Sequence, residues 1–148
     1  MPKLRNPLRR VRRAFTLIEL LVVIAIIGIL ASVVLASLNS ARDKGSDAAI
    51  KSSVNNTRAQ AELYYGDNSN SYDPGAVGSG GGWVCSDATV VNIQNTVNNA
   101  GGTFSCSADA DEYRISSPLV SNTALTYCVD STGVATTTSA SVSGNSCP

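Results

Sequence analysis

The chain has 148 residues, with eleven basic and eleven acidic side chains, four cysteines and no histidine. That length leaves room for one small domain beside a long apolar segment and excludes a multidomain enzyme. The zero net charge averages two unlike parts: the first 14 residues hold six bases and no acid, and from Phe15 onward five bases face eleven acids, a net of −6. Such a charge repels nucleic acid and other polyanions, so no nucleic-acid partner is expected.

The bases Lys3, Arg5, Arg9, Arg10, Arg12 and Arg13 stop abruptly before residues 15–38, FTLIELLVVIAIIGILASVVLASL. About 20 apolar residues at 1.5 Å each cross a hydrocarbon core of ~30 Å, so this stretch predicts a single membrane-spanning helix. The basic block holds its N-terminal side in the cytoplasm. One residue breaks the pattern. Glu19 is a carboxylate in a segment where lipid charges ~2.5–3.5 kcal/mol for an acid at mid-helix. A secretory signal would place its small-residue cleavage site after the apolar region, whereas Ala14 lies before it. A cut between Ala14 and Phe15 removes the bases, leaves the helix attached and makes Glu19 the fifth residue. The new amine of one copy can then neutralise Glu19 of an axially offset copy; an unpaired buried charge is costly, and a paired one specifies register.

Ala14 followed by FTLIELLVVIAIIGILA resembles the N-terminal segment of the type IV pilin family, including the pseudopilins of type II secretion. The resemblance covers about 25 residues and fades after Ser40. It implies cleavage by a membrane prepilin peptidase, methylation of the Phe15 amine, residence in the inner membrane, and polymerisation by the inner-membrane pilus assembly machinery into an extracellular helical homo-oligomer. It also implies that Glu19 pairs with a neighbour's N-terminus and that Gly28 lies where helices pack. Two residues depart from the family pattern: Ala14 stands where Gly is usual, and Ala36 where many pilins have a proline that would break helical hydrogen bonds.

Beyond residue 38 the helix is expected to become amphipathic over residues 39–66. Ile50, Val54, Thr57, Ala61 and Tyr64 or Tyr65 share one face. The polar run NSARDKGSD, residues 39–47, predicts a looser or bent stretch, and Gly66 with Asp67 and Asn68 predicts the stop. A continuous helix to Tyr65 would be on the order of 75 Å long, carrying residues 67–148 as a head.

Residues 67–84 read as a loop. Its GSGGG run lacks the Lys-Ser/Thr of a phosphate-binding loop, and the neighbouring Trp83 is expected to cover the core. Residues 87–102 fit a short helix with Asp87 as N-cap and Gly101 as stop, although Asn and β-branched residues make a strand a competitor. Three antiparallel strands follow from EYRIS, ALTYCVD and VATTTSASV. The fold class is therefore α+β: a long N-terminal helix, hydrophobic then amphipathic, packed on a small antiparallel sheet with disulfides.

Cys85, Cys106, Cys128 and Cys147 all lie in the head, which points to disulfides and an oxidising compartment outside the cytoplasm. Without C-x-x-C spacing or histidine they do not suit zinc. Three pairings are open. Cys85–Cys106 and Cys128–Cys147 are favoured, since each closes a local loop of about 20 residues, worth ~3 kcal/mol. The family resemblance also points to a C-terminal disulfide-bounded loop beside a sheet.

Catalytic residues and cofactors are not expected, because the usual general base is absent and no nucleophile motif occurs. Asp109, Asp111 and Glu112 are the densest carboxylate group; they lack EF-hand spacing and read as a solvated loop, with a calcium site as the alternative. What the family resemblance implies is therefore a type IV pilus filament subunit. A minor tip pilin serving adhesion or uptake, and a type II secretion pseudopilin, are the alternatives.

Overall fold

The computed structural model describes residues 15–73 and 83–148. Ala14, the basic leader and the GSGGG loop lie outside the described residues. The chain divides into two units, Met1–Leu38 and Asn39–Pro148. Helix α1, Leu17–Asp67, contributes to both.

In the first unit α1 is apolar on every side, and its large side chains are exposed throughout. Leucine and the β-branched Ile and Val make the stretch helical only where backbone polar groups have no better partner than each other, as in lipid. Helical hydrogen bonding is unbroken at Ala36.

The second unit starts with residues 39–47 in regular helix, which corrects the looser stretch read from their polarity. The reason is tertiary. Asp47 is buried and its Oδ1 accepts hydrogen bonds from the backbone N–H of Val120 (2.6 Å) and Ser121 (3.2 Å), while its Oδ2 accepts from the Ser121 hydroxyl. A polar residue thus anchors that helical turn to the sheet. Ile50, Val54, Thr57 and Ala61 continue the buried face. Thr57 reconciles its hydroxyl with burial by donating to the Ser53 carbonyl at 3.1 Å. The helix ends at Asp67, within the Gly66-Asp67-Asn68 stop; beyond it Ser69 and Asn70 adopt positive φ of 61° and 59°, and the Asn68 side-chain amide donates to the Tyr64 carbonyl.

After a short 3-10 helix, Trp83–Ser86, helix α2 spans Ala88–Asn99. Asp87 decides helix over strand here, because its carboxylate accepts from the N–H groups of Thr89 (2.8 Å) and Val90 (3.3 Å). At the other end Gly101, at φ 92°, donates to Asn98, and Gly102 donates to the Val97 carbonyl, a Schellman closure that only glycine adopts without strain. Val90 and Val97 face the core.

The sheet has four strands, one more than read from the sequence: β1 Ser105–Ala108, β2 Tyr113–Pro118, β3 Thr126–Asp130 and β4 Ala135–Thr138. They form an antiparallel meander in the order β1-β2-β3-β4. Tyr113, Ile115 and Val129 belong to the core that also holds Ile50, Val54, Val90 and Val97. The β2 residues facing the other way, Arg114 and Ser116, are also buried, together with their neighbours Asp130 and Cys128 on β3. The C-terminal segment reaches this face: Cys147 bonds to Cys128, and its N–H donates to Asp130. Tyr72 closes the core by packing at a tilt against Tyr65 (4.6 Å between centroids) and edge-to-face against Tyr113 (4.8 Å), and its hydroxyl donates to Glu62.

Burial pushes the Asp47 carboxyl upward, but the bonds from Ser121 and Val120 and the charge of Lys51 outweigh it and hold it below the ordinary value. The stabilisation is therefore complete above pH ~4 and is lost as pH falls through the depressed folded-state value. Asp47→Ala is expected to cost about 1–3 kcal/mol at pH 7. In thermal melts of the detergent-solubilised chain, the gap between variant and wild type should shrink toward pH 2; a gap unchanged by acid would exclude the carboxylate as its source.

Candidate functional site

The chemistry of this chain concentrates where the apolar helix begins. Phe15 precedes the helix and is 81% exposed, and Thr16 is the N-cap position before Leu17. Glu19, in the first turn, reaches back. Its Oε2 accepts from the Thr16 N–H (2.9 Å) and the Thr16 hydroxyl (2.8 Å), and the Glu19 N–H donates to Thr16 Oγ1 (3.2 Å). This is a reciprocal capping box, which satisfies two backbone donors that an apolar surrounding would leave orphaned. The carboxylate also sits at the positive end of the helix dipole. Thr16 was missed in the sequence, although T-x-x-E ahead of an apolar run is the signature of this arrangement.

Gly28 lies on the same helix with nothing within 4 Å of where a Cβ would stand. Nearby, the Ser32 hydroxyl donates to the Ile29 carbonyl at 2.8 Å, so the first polar side chain after Glu19 is satisfied locally.

The four cysteines form two bonds, Cys85–Cys106 with 5.8 Å between Cα atoms and Cys128–Cys147 with 5.9 Å. The second closes a loop that carboxylates hold in place. Asp130 Oδ1 accepts from the Thr132 N–H (3.0 Å) and hydroxyl (2.7 Å) and from the Val134 N–H (3.1 Å), shaping the β3–β4 turn; its Oδ2 accepts from the Cys147 N–H at 2.8 Å. Burial raises the Asp130 carboxyl, and these bonds overcome it, keeping the group ionised below the usual range.

The acidic group Asp109, Asp111 and Glu112 does not converge. Asp109 Oδ1 accepts from the N–H groups of Glu112 (2.8 Å) and Asp111 (3.0 Å), and Oδ2 accepts from Asn145 Nδ2 (2.7 Å). Asn145 in turn accepts from the Ser107 hydroxyl at 2.6 Å. The Glu112 N–H is the largest influence holding the Asp109 carboxyl low. Its oxygens cap a turn and anchor the C-terminal loop, and no group of three or more metal-ligating side chains forms among the described residues.

Residues 9–35 match the model of the prokaryotic N-terminal methylation motif. The type IV wide pilus major component PilA4 of Thermus thermophilus is 47% identical to the chain over 60 residues. The N-terminal segment thus carries the prepilin-type methylation motif and is similar to that of a type IV pilin. The match to PilA4 covers 40% of this chain and 45% of that protein. No solved structure matches the chain. The long N-terminal helix with a small antiparallel sheet and two disulfides is the α+β plan of type IV pilins, and in this chain the helix start is capped by Thr16 and Glu19.

Removing an N-cap hydroxyl costs ~1 kcal/mol. In detergent micelles, Thr16→Val should therefore speed hydrogen exchange at the amide of Glu19 roughly five-fold while leaving residues 24–34 unchanged; equal rates at Glu19 would show that the box does not form.

Proposed function

We propose that this chain is the structural subunit of a type IV pilus, cut by a prepilin peptidase between Ala14 and Phe15, methylated on the Phe15 amine, and held in the inner membrane as a single-pass protein by residues 15–38. The pilus assembly machinery then polymerises it through the same helix into an extracellular filament, with Glu19 facing a neighbour's amine and Gly28 at a helix contact. The reading rests on one observation: the apolar half of α1 is wholly uncovered and opens on a carboxylate. Each large apolar side chain gains about 1.5–3 kcal/mol on full burial. Water is therefore not a tenable surrounding, and lipid followed by a bundle of like helices satisfies the segment in both states.

The carboxylate supports assembly over simple anchoring. In the free subunit the acid caps the helix start; in a filament it can exchange Thr16 for a neighbour's ammonium, which adds the attraction of a full opposite charge. The relative's description as a major component supports an abundant subunit over a tip-only adhesion or uptake role. The carboxylates of Asp47, Asp109 and Asp130 in the second unit are engaged in turns and anchors, which supports a structural role for it.

Intact-mass and N-terminal sequencing of protein from sheared fibres is expected to show a chain starting at methylated Phe15; one that keeps Met1 or starts after Leu38 would refute the processing. Glu19→Ala is expected to insert in the membrane at wild-type level and to yield fibres reduced at least about ten-fold, as for loss of one partner of a buried ion pair. Normal fibres from that variant would remove Glu19 from assembly.

A further inference from the structure

Within the Asn39–Pro148 unit, α1 presents three strips at 100° per residue. Ile50, Val54, Thr57 and Ala61 face the core. On one flank Lys44, Lys51 and Arg58 recur every seven residues and so stay within ~40° of one another. Lys51 Nζ lies 6.0 Å from the Tyr127 ring on β3, Arg58 is half-buried, and Lys44 is exposed. On the opposite flank Gln60, Leu63, Tyr64 and Asp67, at i, i+3, i+4 and i+7, wall a groove of about 290 Å³ that Asp87 and Thr89 of the α2 start complete. No base lines it. Leu63 is 62% exposed there, and burial together with the charges of Asp73 and Asp87 pushes the Tyr64 hydroxyl up. The groove is an anionic recess whose apolar surface comes from Leu63 and the Tyr64 ring.

We propose that this groove receives the basic flank of a second copy of the chain, with Lys44 as the side chain that enters it, so that pilin subunits join side to side through two different patches. The inference rests on the filament reading and specifies the contact between its subunits. Charge complementarity favours this occupant: past Phe15 the chain carries a net −6, so copies repel one another unless their few bases meet a neighbour's acids, and three of those five bases share one strip. A lysine suits the recess because its methylene stem covers Leu63 and the Tyr64 ring while the ammonium reaches Asp67 and Asp87. Lys51 and Arg58 already lie against their own sheet, at Tyr127 and beside Gly133, which leaves Lys44 as the free base of the strip.

The geometry also sets the direction of growth. A contact between unlike patches does not close on itself as an isologous dimer does, and where successive copies are displaced along the axis it builds an open helix, not a ring. Subunits inserted in one membrane with one polarity keep α1 parallel, and Lys44 precedes Gln60 and Asp67 by 16 and 23 residues. Copies in contact are therefore offset along the helix axis by roughly 24–35 Å.

The test is zero-length carbodiimide cross-linking of wild-type fibres, followed by peptide mass mapping. An amide between Lys44 and Asp67 or Asp87 is the expected product; Lys44 and Asp67 are ~35 Å apart on one helix, so such a bond joins two copies. Asp67→Lys is expected to lower fibre yield about ten-fold at unchanged membrane level, and Lys44→Glu in the same chain to restore it. Wild-type fibres in which Lys44 joins neither Asp67 nor Asp87 overturn the contact alone, as does wild-type yield from Asp67→Lys. Absence of fibres from the wild-type chain would instead remove the filament reading, and this contact with it.

Discussion

Sixteen large apolar side chains between Phe15 and Leu38 stand exposed on a helix with no partner inside the subunit. At about 1.5–3 kcal/mol each on full burial, their transfer outweighs the ~5–15 kcal/mol by which a typical domain is folded at all. Everything else in the chain answers to that surface. On the filament reading, a lipid phase holds it first and helices of other copies take the place of lipid afterwards. The helix offers no polar stripe, so a soluble monomer is not among its alternatives.

Glu19 qualifies the apolar segment without contradicting it. A carboxylate at mid-helix would oppose insertion, but in the first turn it bonds to the Thr16 N–H and hydroxyl, at the end where the helix dipole favours negative charge. Thus the acid stabilises the helix start in the free subunit. An ammonium brought near adds the attraction of a full opposite charge, which the neutral Thr16 donors lack. One group can serve insertion and, on the filament reading, register.

The second unit is stabilised in a way that suits its small size. Its core is built mainly from Val, Ile and Tyr, and polar anchors supplement it: Asp47 ties α1 to the segment after β2, Asp130 ties the β3–β4 turn to Cys147, and Asp109 ties its turn to Asn145. Carboxylates occupied by backbone N–H groups are stable as ions but have few lone pairs left for chemistry or metal. The two disulfides restrain the same regions covalently.

Much of this was legible in the chain itself. Apolar length, the basic block, the Ala14–Phe15 junction, the acid at 19 and the 3.6-residue face through Ile50, Val54, Thr57 and Ala61 are local patterns, and helices follow local patterns because their hydrogen bonds are local. The T-x-x-E cap was equally local and was missed. Strand β1 was not legible, since SCSA carries no alternation and becomes a strand only by pairing with β2. Nor was the regular helix through residues 39–47, which depends on Asp47 meeting Val120 and Ser121, more than 70 residues away in sequence. The burial of both faces of β2 likewise required the C-terminal segment to fold back across it. The sequence by itself determined which segment is long and apolar enough to cross a membrane and which helix face meets a core. Only the tertiary structure decided which carboxylates are anchors and which line an open groove, because a carboxylate's role depends on the N–H groups that distant segments bring to it.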